Sequence, residues 1–116
     1  MCNAGHCPPV LIADARISEI EPSGPPLGLF RDAQYSLTRL RFTKGWSLFF
    51  YTDGLIEARK SQGNEYGCER LRQHLSENHS LSSQRIVEGC LHDLSDFLKG
   101  TPLSDDLTVM ALRHTG

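Results

Sequence analysis

The chain has 116 residues, with 12 Lys and Arg against 14 Asp and Glu and a formal charge of −2. That length is near the commonest domain size and can bury roughly two thirds of its unfolded surface, while the interspersed charges create no field that would draw nucleic acid or anionic lipid. No apolar stretch approaches the roughly 20 residues needed to cross a bilayer, and no basic segment followed by an apolar one opens the chain, so the expectation is a soluble, cytoplasmic unit spanning 1–116 with no membrane partner.

Cys2, Cys7, Cys68 and Cys90 form no CxxC pair, which argues against a zinc knuckle or a dithiol redox site. A cluster of Cys2, His6 and Cys7 closed by a distant ligand is the metal alternative; the commoner use of cysteine is as a small buried apolar residue.

In chain order, Pro8-Pro9 opens an extended segment and Val10-Leu11-Ile12-Ala13 suits a short buried strand. Asp14-Ala15-Arg16 predicts a turn, with Ile17 to Ile20 as the return strand. Ser23-Gly24-Pro25-Pro26-Leu27-Gly28 has the composition of a shaped loop, because proline fixes φ and glycine permits positive φ. Gln34 to Phe42 alternates with period two and predicts a strand, joined through a Lys44-Gly45 hairpin turn to Trp46 to Thr52. The second of these strands ends apolar on both faces and is expected to be central, with Asp53-Gly54 closing it.

Arg59 to Asn64 is a polar loop. Tyr66 to His79 places Leu71 and Leu75 four apart, as on a surface helix. Ser82-Ser83 caps a second helix from Gln84 to Lys99, in which Ile86, Val87, Cys90, Leu91, Leu94, Phe97 and Leu98 share one stripe and Gly100 supplies the stop. Leu107 to Leu112 is a final strand. His74, His79, His92 and His114 have no ligand spacing and are expected at the surface. Strands, two helices and a strand make an α+β protein of antiparallel strands with flanking helices, not an alternating βαβ fold. Neither GxGxxG nor GxxxxGK[ST] is present.

Two acidic segments carry the chemistry: Tyr51-Thr52-Asp53-Gly54 at the exit of one apolar run, and Ser104-Asp105-Asp106-Leu107-Thr108 at the entrance of another. Carboxylates so placed can converge, and hard divalent cations require converged oxygen ligands. Taken locally, Asp53 before glycine is also a turn residue and Asp105 also a cap. An aspartate at the end of a buried strand is, however, costly unless paired or metal-bound.

Asn3-Ala4-Gly5-His6-Cys7-Pro8-Pro9-Val10-Leu11, Pro26-Leu27-Gly28-Leu29, Tyr51-Thr52-Asp53-Gly54-Leu55-Ile56-Glu57-Ala58-Arg59, Tyr66-Gly67 and Ser104-Asp105-Asp106-Leu107-Thr108 follow one another in this order. The series closely resembles the metal-dependent PPM-type protein serine/threonine phosphatases, in the bacterial branch typified by the stage II sporulation E phosphatase and by stress-response phosphatases acting on anti-sigma-factor antagonists. The resemblance implies an αββα sandwich with two Mn²⁺ or Mg²⁺ ions at one edge, and it covers the second half of that domain. The Asp-x-x-Gly-His-Gly element of the first half, whose aspartate bridges both metals, does not occur in this sequence. The chain is therefore expected to be a single partial domain over 1–116, with the missing N-terminal half as a partner and with apolar strand surface that invites self-association.

By the same resemblance Asp53 and Asp105 match metal ligands, with Asp106 as an acceptor that orients Asp105. His6 falls where some members carry an aspartate for a loosely held third metal; there it contacts phosphate or a metal-bound water, or else is a histidine satisfied by backbone. Asn3 serves the same edge or forms an Asx turn with Gly5. Gly28 and Gly54 are expected where backbone approaches another element, and Arg59 is either an anion contact or solvated. The implied activity is hydrolysis of phosphoserine or phosphothreonine on a partner protein, such as an anti-sigma-factor antagonist, with this chain alone expected to be inert. The alternative is a non-catalytic interaction module descended from a phosphatase.

Overall fold

The computed structural model describes residues 7–21, 24, 31–35, 37, 39–60 and 63–116. Cys2, Asn3, His6 and Gly28, and most of the proline-rich loop, lie outside them. Seven elements follow in order: β1 (Val10–Ala13), β2 (Arg16–Glu19), β3 (Ser47–Tyr51), α1 (Asp53–Ile56), α2 (Gly67–Glu77), α3 (Ser83–Leu98) and β4 (Val109–Arg113). The strands form one four-stranded antiparallel sheet in the order β2-β1-β3-β4. This is the expected α+β arrangement, one layer of sheet and one of helices. Among the described residues no helix is long and apolar enough to cross a membrane.

Strand alternation decides which side chains meet the helices. Val10, Ile12, Phe49 and Tyr51 are buried in one cluster with Leu71 and Leu75 of α2 and Ile86, Cys90, Leu94, Phe97 and Leu98 of α3, and Ile17, Val109 and Ala111 pack against it. Each fully buried large aliphatic or aromatic side chain contributes about 1.5–3 kcal/mol by leaving water, so this cluster is what holds sheet and helices together. The opposite face is also apolar: the register aligns Leu11 with Leu48 and Leu48 with Leu112, and Phe50 with Met110. Met110 and Leu112 are 53% and 51% exposed there.

Local signals account for the ends. Asp14 adopts φ 56° in the two-residue turn between β1 and β2, a conformation that aspartate tolerates better than most residues. The Ser82 hydroxyl accepts from the Arg85 N–H at 3.3 Å and caps α3, whose far end is closed by Lys99 in the left-handed region and Gly100 at φ +86°. Arg72 pairs with Glu19 at 2.6 Å and fastens α2 to the edge strand.

Three expectations are corrected. The described residues within 34–42 form no strand: β3 is hydrogen-bonded to β1 on one side and β4 on the other, so neither edge is open to a preceding hairpin. The Lys44-Gly45 turn is present, and it delivers the chain to β3 alongside β4, with the Gly45 N–H donating to the His114 carbonyl at 2.8 Å. Leu91 is 40% exposed, off the buried stripe of α3. Of the four histidines expected at the surface only His92 is exposed; His74 is half-buried against Gly89, its Nε2 buried without a partner among the described residues.

Candidate active site

β3 passes directly into α1, so the strand end and the first helical turn share the Thr52-Asp53 peptide. Thr52 is the residue before α1, yet its hydroxyl does not cap that helix. It accepts instead from the Thr108 N–H at 3.0 Å, while the Thr52 N–H donates to the Thr108 carbonyl at 3.1 Å. This reciprocal pair extends the β3–β4 ladder by one step and carries the segment before β4 to the side of Asp53.

Gly54 completes the approach. A Cβ at this position would collide with the Asp106 carbonyl oxygen and stand 3.0 Å from the Asp106 carbonyl carbon and 3.6 Å from the Asp105 oxygen. The expectation that Gly54 marks a close backbone approach is met, and the group approached is the Asp106 carbonyl, with that of Asp105 next to it. The two acidic segments thus meet at one end of the sheet. Glu57 and Arg59, Glu65 from the following loop, and Ser104 and Asp105 line, with Gly54, an open pocket of about 340 Å³.

Asp53 lies in the first turn of α1 and not in the strand, and it is exposed. A desolvation cost therefore does not by itself demand a cation there, contrary to what a buried strand end would require. Its carboxylate is nevertheless held: the Cys7 thiol donates to Oδ1 at 2.7 Å, from 46 positions away in sequence. Burial pushes the Cys7 thiol up to about 12, and the hydrogen bond to Asp53 and that residue's negative charge add to the effect. Asp105 and Asp106 are exposed, and the Asp106 backbone N–H donates to the Asp105 carboxylate at 2.8 Å. The link between these neighbours runs through the Asp106 amide, where the sequence had pointed to its side chain. Arg59 is solvated, one of the two expectations, with 61% of its side chain exposed, and its guanidinium donates to Glu65 at 2.8 Å.

As a donor set for Mn²⁺ or Mg²⁺, Asp53 and Asp105 are of the right kind, hard oxygen ligands at one sheet end. Among the described residues no three His, Cys, Asp or Glu side chains are grouped to hold an ion. The acidic residues Glu57 and Glu65 and the Cys7 contact were not anticipated as part of this site. Glu57 stands four positions after Asp53, a spacing visible in the sequence; the Cys7 contact depends on strand pairing and had no local signal.

Similarity to known proteins bears on this site. The model of the family described as stage II sporulation protein E (SpoIIE) matches residues 1–115. The chain belongs to the SpoIIE family. Within the curated proteins, protein IcfG of Synechocystis is 28% identical over 111 residues, covering 95% of this chain and 17% of IcfG. Phosphoserine phosphatase RsbP of Bacillus subtilis is 35% identical over 57 residues, 47% of this chain and 14% of RsbP. In fold, this SpoIIE-family chain is similar to the SiaA-PP2C domain of Pseudomonas aeruginosa, with a TM-score of 0.77, 20% identity, and coverage of 95% of this chain and 43% of that one. It therefore spans less than half of the solved PP2C domain and under a fifth of either curated relative. Relatives of this SpoIIE-family chain are PP2C-type signalling phosphatases.

Proposed function

We propose that the chain is the C-terminal half of a SpoIIE-like PP2C phosphatase domain, and that the complete domain hydrolyses phosphoserine or phosphothreonine on a partner protein in the cytoplasm. The observation that supports this reading is the contact of Gly54 with the Asp106 carbonyl, which brings the two acidic segments together at one sheet end. In this reading Asp53 and Asp105 hold divalent cations, Mn²⁺ or Mg²⁺. Such ions supply an acidified water as nucleophile and neutralise charge on the phosphoryl oxygens. Asp53 and Asp105 bind and place the ions, and the Asp106 N–H fixes the Asp105 carboxylate. His6 and Asn3, for which the family resemblance allows a contact with phosphate or a metal-bound water, lie outside the described residues. The phosphoserine phosphatase name of RsbP supports the substrate class; an anti-sigma-factor antagonist is the partner we assign by family resemblance.

Two carboxylates do not complete a two-metal site, and the missing N-terminal half is the source we assign to the remaining ligands. The isolated chain is accordingly expected to hold Mn²⁺ or Mg²⁺ weakly or not at all, to be catalytically inert, and to self-associate through its apolar strand surface. The absence of a three-ligand group among the described residues favours a second reading, a non-catalytic interaction module. A phosphoserine-peptide assay of this chain joined to an N-terminal half carrying Asp-x-x-Gly-His-Gly separates the two. Mn²⁺-dependent turnover abolished by chelation supports the phosphatase, and its lack in the folded, joined protein supports the module.

A further inference from the structure

We infer that the apolar groove between the end of α3 and the loop that follows it is a docking groove for the protein substrate, seating one aliphatic side chain flanked by lysine or arginine. The inference rests on the phosphatase reading for the identity of the occupant. It deepens that reading by giving the substrate a second contact, away from the acidic segments.

The groove has a volume of about 300 Å³ and is lined chiefly by Leu91, Leu94 and Leu98 of α3 and by Leu103 and Leu107 beyond it. Leu94 and Leu98 are buried, while Leu91 and Leu103 are 40% and 43% exposed. Its shape is set by backbone. Lys99 and Gly100 turn the chain back at positive φ, the Thr101 N–H donates to the Leu98 carbonyl at 3.0 Å, and the far end of the loop is held where Thr108 bonds Thr52. A preformed cleft avoids the ordering cost that binding otherwise carries. The same loop serves two sites: Leu103 and Leu107 line the groove, whereas Ser104 and Asp105 between them line the pocket at Gly54. Leu107 is two positions from Asp105, at most about 7 Å along the chain, so a protein with its phosphoserine at the acidic segments reaches the groove with neighbouring residues.

Charge and position select the occupant. Exposed Asp96 follows Ser95 of the lining and exposed Asp106 precedes Leu107; Lys99 is the opposing cation, and His92 balances Asp96 only when protonated. An apolar anchor with basic neighbours complements that rim. The missing half of the domain is expected on the face that bears Met110 and Leu112, and the sheet separates that face from α3. A second copy is too large an occupant, since a stable dimer buries about 800 Å² on each partner and a groove of this volume takes little more than one side chain.

Binding is tested first on the 116-residue chain, by amide shifts with two short lysine-containing peptides that carry no phosphate, one with a single leucine and one with alanine in its place. The leucine peptide should shift Leu91, Ser95, Thr101 and Leu103, and the alanine peptide should bind about tenfold more weakly or worse, the factor for burying one such side chain. Leu91→Gln and Leu103→Gln, both at exposed positions, should weaken the leucine peptide by a similar factor. Equal affinity for the two peptides, or shifts confined to other residues, overturns the groove. Shifts at the same amides that grow with protein concentration in the absence of peptide make a second copy the occupant and overturn it too. In the joined, complete domain, Leu91→Gln should raise KM for a leucine-bearing phosphoserine peptide about tenfold while leaving kcat and turnover of p-nitrophenyl phosphate unchanged. Unchanged KM overturns the docking role and leaves the phosphatase reading intact. Loss of peptide binding on joining means that the missing half fills the groove, which also overturns it. Peptide binding at the groove in a folded, joined protein without any phosphatase turnover overturns the phosphatase reading, and with it the substrate as occupant.

Discussion

Gly54 packs against the carbonyl of Asp106 so closely that the two acidic segments share one backbone contact. Its φ is not positive, so what the position requires is the absence of a side chain and not a special conformation. Gly63 is the converse, at φ +94° with nothing near its missing Cβ. Gly54→Ala must push back a peptide, and overpacking of this kind costs about 1–3 kcal/mol. Urea unfolding should show that loss, together with shifted amide resonances at Asp105 and Asp106. A variant as stable as the wild type, with those resonances unmoved, would show that the approach is looser than described.

A second prediction concerns the network behind the site. Asp93 of α3 accepts from the Tyr66 hydroxyl at 2.6 Å and from Arg70 at 3.1 and 3.0 Å, joining the start of α2 to α3. Burial works to raise the Asp93 carboxyl, but the hydrogen bonds from Arg70 and Tyr66 outweigh it and hold the group below its ordinary 3.8. A depressed folded-state value means that the contribution is present above the unfolded value and is lost as pH falls through the folded one. Asp93→Asn should cost about 1.5–3 kcal/mol at neutral pH, the range for hydrogen bonds to a charged group. The gap between variant and wild type in chemical denaturation should narrow below pH 3.8. A gap that stays constant across that range would refute the assignment.

The sheet faces give a third. Phe49 is fully buried between β1, β4 and the helices, and Phe49→Ala should cost about 3–5 kcal/mol. Leu112, on the other face of the same sheet and 51% exposed, should tolerate Leu112→Ala with a far smaller loss. Thermal or urea unfolding of the two variants checks the strand register, since a slip of one residue would reverse the order.

Much of this fold was legible because its signals are local. The Ser82 cap, the Leu71 and Leu75 spacing, the Gly100 stop and the apolar run into Tyr51 each report on neighbouring residues, and each matches the structure. The strand expected over 34–42 failed for a non-local reason: alternation says that a segment can pair, not that both edges of its intended partner are already occupied. α1 has four residues, too few for helical periodicity to register, so Asp53 looked like the end of a strand instead of the first turn of a helix. Leu91 lies near the apolar stripe by angle, but packing leaves it at the rim. Of the candidate site, the acidic segments and Gly54 could be read directly. The thiol at Asp53 could not, because 46 positions separate the partners and strand pairing alone brings them together.

The last prediction separates the acidic residues by role. In the joined, complete domain, Asp53→Asn and Asp105→Asn should each lower kcat/KM on a phosphoserine peptide by about a hundredfold or more, because each neutralises a ligand and weakens the acidity of the bound water. Asp106→Asn should cost less, since the contact it makes to Asp105 runs through its backbone N–H and survives the substitution. Asp14→Asn, in the β1–β2 turn at φ 56°, is the control: asparagine accepts that conformation and the turn is remote from the acidic segments, so activity should be unchanged. The 116-residue chain alone should show negligible turnover of p-nitrophenyl phosphate with Mn²⁺. Robust turnover by the chain alone, abolished by Asp53→Asn or Asp105→Asn, would mean that it assembles a working site without the other half and would refute its proposed inertness. Asp106→Asn as damaging as Asp105→Asn would instead make the Asp106 side chain a ligand in its own right.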